Sequence, residues 1–208
     1  VIESSYLLQR LIHMPFFFRS FLVLLLAAGG LSAQTTGPAV AEAAASQIGK
    51  TTRYDPSYQR LNYPMGDVPE ESGVCSDVVI RALRSVGIDL QQRVHEDMKT
   101  HFSAYPQNWG LKKTDRNIDH RRVPNLETYF KRCGFSLPVT KDPGSYQPGD
   151  IVSVRLDNGL PHIMVVSGRK NPEGVPLIIH NIGAGTCLED RLFSFRITGH
   201  YRIKKTTP

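Results

Sequence analysis

Only three cysteines and one tryptophan occur in 208 residues, too few for a small scaffold held by several disulfides. No apolar run reaches the roughly 20 residues that a bilayer-spanning helix requires; the longest, at 21–28, stops well short. The basic residues are scattered and no aromatic-rich stripe accompanies them, so no nucleic-acid partner is expected. Histidines paired one helical turn apart are missing, and so is any other compact ligand motif. His120, His162, His180 and Cys75 therefore have no spacing that suggests zinc, and neither a metal nor another cofactor is expected. There is no internal repeat and no low-complexity segment beyond the alanine-rich stretch near residue 43.

What is present begins with an export signal. Arg10 and Arg19 precede the apolar run 21–28, which is followed by Gly29, Gly30, Leu31, Ser32 and Ala33. Charged, apolar and small-residue regions in that order predict a cleavable signal peptide over 1–33, with Met14 or Val1 as the start and an uncleaved N-terminal anchor as the alternative. The expected localisation is periplasmic or secreted, with no stable membrane span after cleavage. Removing Arg10, Arg19 and Glu3 takes the formal charge from +6 to +5, and a mildly basic exported protein suits anionic partners such as cell-wall polymers or lipid headgroups. Residues 34–45 read as a linker running into a short helix over 41–48, and 46–208 as one domain with a single core.

Helical periodicity dominates the first half of that domain. Val74, Val78, Val79, Ala82, Leu83 and Val86 line one face, with Ser72 or Gly73 as the N-cap and Gly87 as the stop. Leu90, Val94, Met98 and Phe102 repeat every four residues and predict a second helix ending near Tyr105 and Pro106. Pro124 suits the first position of a third, stopped by Gly134. The period then becomes extended: strands over 150–156 and 162–167 flank the turn Asp157-Asn158-Gly159, and further strands are predicted over 176–181 and 195–203. Helices followed by hairpin-linked strands indicate an α+β fold, with N-terminal helices packed on a C-terminal antiparallel sheet.

Cys75 falls in the first turn of a predicted helix, where unpaired backbone N–H groups and the helix dipole favour a thiolate. His162 opens one predicted strand and His180 ends another. Cysteine first and imidazoles later is the chain order of a thiol hydrolase, with His162 as base and His180 holding its ring. Asn181 is a second candidate for that last role, although strand alternation turns it to the opposite face from His180. In an oxidising compartment Cys133 and Cys187 can bridge and leave Cys75 free; the alternative is three thiols, two of them inert.

The segment Gln147-Pro148-Gly149-Asp150-Ile151-Val152, followed by His162-Ile163-Met164-Val165-Val166, resembles the signature of the NlpC-type cell-wall peptidases, a branch of the papain-like cysteine peptidases. That likeness implies a papain-like fold, Cys75, His162 and His180 as the catalytic set, and Tyr63 in the oxyanion wall. It also implies a cysteine amidase or endopeptidase acting on peptide-type amide bonds, with peptidoglycan stem peptides as substrate. Over nearly all of the mature sequence the chain is similar to the exported bacterial family named domain of unknown function 1287. The shared segments lie at 73–82, 94–98, 117–126 and 198–202. Two features depart from the NlpC pattern: the nucleophile sits in Val74-Cys75-Ser76-Asp77 instead of Asp-Cys-Ser-Gly, and 117–126 has no counterpart.

Asp119, His120, Arg121 and Arg122 form a dense polar cluster before the third helix. It is either a carboxylate clamp for an acidic stem peptide, through forked arginine hydrogen bonds, or a salt-bridged loop that fixes that helix. Asp77 reads as a carboxylate that complements the helix dipole. Other function classes remain open: a thiol hydrolase or acyltransferase on another amide or ester, or a non-catalytic cell-wall-binding protein that retains the fold. Oligomeric state is not legible.

Overall fold

The computed structural model describes residues 36–204; the signal peptide expected at 1–33 lies outside them. The chain order is α1 (Thr36–Ala45), β1 (Arg53–Tyr54), β2 (Ser72–Gly73), α2 (Cys75–Arg84), α3 (Leu90–His101) and α4 (Val123–Arg132). Then come β3 (Ser136–Leu137), β4 (Ile151–Arg155), β5 (Pro161–Lys170), β6 (Pro176–Asn181), β7 (Thr186–Glu189) and β8 (Arg196–Tyr201). The helices thus precede a six-stranded antiparallel sheet of order β3-β8-β4-β5-β6-β7, the α+β arrangement that the change of period predicts. The closing strand pairs with β4 instead of following β7, so the sheet is not a simple meander.

Alternation along the strands makes two cores. Ile151, Ile163, Val165, Ile179 and Tyr201 face the helices and meet Val78, Val79, Leu83, Leu126 and Phe130. Val152, Val154, Met164, Val166 and Ile178 face the other way and are covered by Tyr146 and Leu192. Each such aliphatic side chain contributes about 1.5–3 kcal/mol when fully buried, enough to fix the register, because a one-residue slip would exchange the two faces.

The stretch expected as a linker is a helix in its own right. α1 buries Val40, Ala41 and Ala44 against the core, and alanine, the best helix former, supplies both the propensity and the close approach. Its first turn lies so near the Pro148-Gly149-Asp150 turn that a Cβ on Gly149 would fall 2.0 Å from the Gly37 carbonyl oxygen. Gly149 also has φ +83°, a conformation that suits glycine. The next residue, Asp150, is buried and accepts from His200 Nε2 at 2.7 Å and from Arg202 Nε at 2.7 Å. The Pro-Gly-Asp turn and the 198–202 segment thus form one ionic joint between β4 and β8. Burial alone would raise the Asp150 pKa, but the Arg202 and His200 hydrogen bonds outweigh it and hold the carboxyl below its ordinary range.

Among the described residues, no helix is long and apolar enough to cross a membrane. Cys75, Cys133 and Cys187 are all free, so the bridge that the cysteine count allowed is not made.

Candidate active site

Cys75 is the first residue of α2, after an N-cap at Val74, one position later than the Gly73 alternative and two later than Ser72. Valine has no side-chain acceptor, and Asp77 supplies the missing one: its Oδ2 accepts from the Val74 N–H at 2.7 Å. The same carboxylate takes a forked pair of hydrogen bonds from Arg121, Nε to Oδ1 and Nη2 to Oδ2, each 2.9 Å. Ser76 Oγ donates to the Arg121 carbonyl at 2.6 Å, and the guanidinium also reaches the carbonyls of Ser57 and Asp55. Both charged side chains are almost sealed, at 2% and 3% exposure. Burial would lower the Arg121 pKa, but the hydrogen bonds and charge of Asp77 more than compensate and raise it.

This network decides between the two readings of the 119–122 cluster. Arg121 is wholly committed inside the protein, so it does not clamp a substrate; it fixes the start of the cysteine helix. His120 is buried, and desolvation, helped by the Arg121 charge, pushes its pKa down to about 3, so the ring is neutral. Asp119 is buried and accepts from the Asp115 N–H, and burial raises its pKa to about 6. Arg122 stacks on Trp109 at 4.1 Å and lies 3.6 Å from Asp119. All four are parts of a braced turn in which Asp119–Arg121 forms a short 3-10 helix.

Tyr63 is also elsewhere. Its hydroxyl donates to Glu96 at 3.5 Å, and its ring packs on His95 and under Arg116, partners on and beside α3. Tyr54, at the end of β1, is the tyrosine within electrostatic reach of Cys75. Although Tyr54 is 41% exposed as a residue, desolvation first, then the nearby Cys75 and Asp77, pushes its pKa up to about 12.

The sheet supplies two imidazoles in direct contact. His162 Nε2 lies 2.8 Å from His180 Nδ1, and His180 Nε2 lies 2.7 Å from Glu189 Oε2. Both rings are buried. A carboxylate only accepts, so Glu189 assigns the His180 proton to Nε2; the bare Nδ1 of a neutral His180 then accepts from His162 Nε2–H. His162 is left with its lone pair on Nδ1. Burial, then the neighbouring His180, pushes the His162 pKa down to about 3, while burial lowers that of His180 against the opposing pull of Glu189. Both rings are neutral at physiological pH.

By alternation His162 and His180 share the parity of Met164 and Ile178, the face turned from the helices, and their sequence neighbours Ile163 and Asn181 are what link the sheet to the cysteine helix. The Ile163 N–H, one residue beyond His162, lies near enough to the Cys75 sulfur to favour its thiolate. Asn181, one residue beyond His180, donates from Nδ2 to the Gly73 carbonyl at 3.0 Å and the Arg53 carbonyl at 3.2 Å. Its Oδ1 accepts from Gly183 and Gly185. As alternation predicts, Asn181 points opposite to His180, where it clamps the approach to the cysteine. The ladder from β5 to β6 is registered only from Val165 onward, so Cys75 abuts the start of β5, before that ladder begins.

The resting sulfur is a thiol. Burial pushes the Cys75 pKa up to about 11, opposed by the N–H groups of Ile163, Ser76 and Cys75 and reinforced by Asp77. The helix start does lower it, as its position suggests, but desolvation is the larger effect. Sequence reasoning missed Glu189, Tyr54 and the bracing role of Arg121. For Glu189 a signal existed in the alternation Cys187, Leu188, Glu189, which is half-buried along β7.

Comparison with known proteins agrees with the likeness to the family named domain of unknown function 1287. The protein YijF of Escherichia coli (strain K12), itself described as uncharacterized, is 62% identical over 167 residues, 80% of this chain and 82% of its own length. Among solved structures, NlpC1 from Trichomonas vaginalis aligns over 83% of this chain with a TM-score of 0.45 and 14% identity. This chain spans about half of that one, 46%. The family described as "Domain of unknown function (DUF1287)" matches residues 41–203, all of the sheet and every residue of the site described above, and the chain belongs to that family.

Proposed function

We propose that this protein is an exported cysteine amidase or endopeptidase that cleaves peptide-type amide bonds in peptidoglycan stem peptides, with Cys75 as nucleophile and His162 as base. The observation that carries this reading is the directed pair of hydrogen bonds from His162 to His180 to Glu189. It leaves the Nδ1 lone pair of His162 as the free basic atom, one residue before the Ile163 N–H that favours the Cys75 thiolate.

Both partners are neutral at rest, so the thiol proton moves to His162 Nδ1 as sulfur attacks the carbonyl, and no ion pair exists beforehand. The imidazolium that forms is stabilised through His180 by Glu189, as the third residue of a triad does. The oxyanion takes N–H donors at the start of α2, those of Cys75 and Ser76, with the Tyr54 hydroxyl at the wall. Loss of one such donor raises the barrier by about 3 kcal/mol. His162 Nδ1–H then protonates the leaving amine, and water enters to release the acyl group. Export and mild basicity support an anionic cell-wall substrate.

One observation favours a second reading, a binding protein that keeps the fold without turnover: the Cys75 thiol is only 5% exposed. Incubating the purified protein with defined muropeptides, and weighing the products by mass spectrometry, separates the two. The hydrolase reading expects new stem-peptide termini that the Cys75→Ala variant does not make. Intact muropeptides with unimpaired binding would establish the other.

A further inference from the structure

The register of β6 on β7 sets His180 directly opposite Cys187, and Glu189, two residues on, shares the Cys187 face. One ligand atom from each of the three lies within 4.8 Å of the others. A histidine nitrogen, a thiol and a carboxylate oxygen form a donor set suited to a borderline divalent transition ion. In sequence the three are too unevenly spaced to form a recognised motif; the hairpin assembles them. Glu189, with 35% of its side chain exposed, and the half-buried Cys187 open the cluster to solvent, whereas His180 is closed.

We propose that His180 Nε2, Cys187 Sγ and Glu189 Oε2 form a binding site for a zinc-type divalent ion, and that occupancy switches off the cysteine–histidine pair described above. The ion takes the place of the His180 Nε2 proton. The His180–Glu189 separation must open from 2.7 Å to about 3.3 Å, the edge of a tetrahedron with ligands roughly 2.0–2.1 Å from the metal. The exposed glutamate can make that movement. The thiol proton leaves to solvent as sulfur coordinates, and water completes the fourth position.

The consequence for His162 follows from proton counting. An imidazole bound to metal through Nε2 carries its remaining proton on Nδ1. His180 Nδ1 then donates to His162 Nε2 instead of accepting from it, and the His162 proton moves to Nδ1. The lone pair on His162 Nδ1 disappears. The ion inhibits without touching the sulfur nucleophile, through a reversal of one hydrogen bond.

This inhibition rests on the proposed pairing of Cys75 with His162, but the metal site does not, and no substrate is needed for either test. Co²⁺ added to the metal-free full chain should give a sulfur-to-cobalt charge-transfer band with tetrahedral visible bands. Cys187→Ser should abolish the charge-transfer band, Glu189→Gln should weaken affinity roughly tenfold or more, and Cys133→Ser and Cys75→Ala should change nothing. Peptide mapping after brief haloacetamide treatment should show Zn²⁺ slowing Cys75 alkylation about tenfold in the wild type and not at all in Cys187→Ser. Absence of the band, its survival in folded Cys187→Ser, or equal Zn²⁺ protection of Cys75 in that variant overturns the proposal. Muropeptides left intact despite the expected spectra would overturn only the hydrolase reading.

Discussion

On the helix side of the site the charges are sealed: Asp77 and Arg121 are 3% and 2% exposed and satisfy one another, the Val74 amide and two loop carbonyls. On the sheet side the hydrogen bonds run outward, from buried His162 through buried His180 to Glu189, which keeps 35% of its side chain in solvent. The first arrangement fixes a position and is little affected by salt or moderate pH. The second fixes a proton's location, and it does so through its most exposed member. The place of Cys75 is therefore structural, whereas the tautomer of His162 is adjustable.

The comparison can be broken at four points. Replacing either reacting group has the largest effect: Cys75→Ala and His162→Ala should each reduce turnover of a cleavable muropeptide by about 10²–10⁴ or more, with melting temperatures near that of the wild type. Next comes the sealed brace. Asp77→Asn leaves Arg121 buried without its charge partner and should cost about 3–5 kcal/mol in urea unfolding, whatever happens to activity. Exposed Glu189 should behave in the opposite way. Glu189→Ala is expected to lower kcat about 10-fold with KM unchanged and stability within about 0.5 kcal/mol. Glu189→Gln, whose amide can donate to His180 Nε2 and reverse the proton order, should be the more damaging of the two.

The fourth point is acid sensitivity. His120 and His162 have folded pKa values near 3, below the ordinary value of about 6.5 for an unfolded chain. The unfolded state therefore binds the extra protons, so the stability from keeping these rings neutral is present above pH 6.5 and is lost as pH falls toward 3. Each histidine adds a slope of about 1.4 kcal/mol per pH unit in that window. A His120→Asn variant should show a stability curve shallower by one such increment between pH 6 and 4, measured by urea unfolding.

Much of the fold was legible because it depends on periodicity. The helix faces of α2 and α3, Pro124 at the start of α4, and the hairpin at Gly159 appear where the pattern puts them. The start of α1 was hidden by small residues, whose weak hydrophobic contrast looks like a linker, so that a helix was expected only over 41–48, although alanine favours helix and packs closely. β7 was hidden by its brevity and by Gly183 and Gly185 before it. At the candidate site, chain order singled out Cys75, His162 and His180, of which the structure joins His162 to His180 directly, and alternation turns Asn181 to the face opposite His180. The error over Tyr63 and the open choice over Arg121 share one cause: distance along the chain does not say which of several polar groups an ion will choose. Asp77, placed by sequence as a dipole-complementing carboxylate, is the group that took Arg121 inward.

The central claim is that an uncharged Cys75 works with a neutral His162 across the start of β5. The most direct measurement is the rate of Cys75 alkylation by a small haloacetamide from pH 5 to 10, followed by peptide mass mapping in the wild type and in His162→Ala. The account predicts a rate that climbs toward alkaline pH without a plateau below pH 7, since the thiol is held up at about 11, and that falls at least tenfold when His162 is removed. A flat acidic plateau would mean a thiolate–imidazolium pair, and a rate indifferent to His162→Ala would mean that the two residues do not act together.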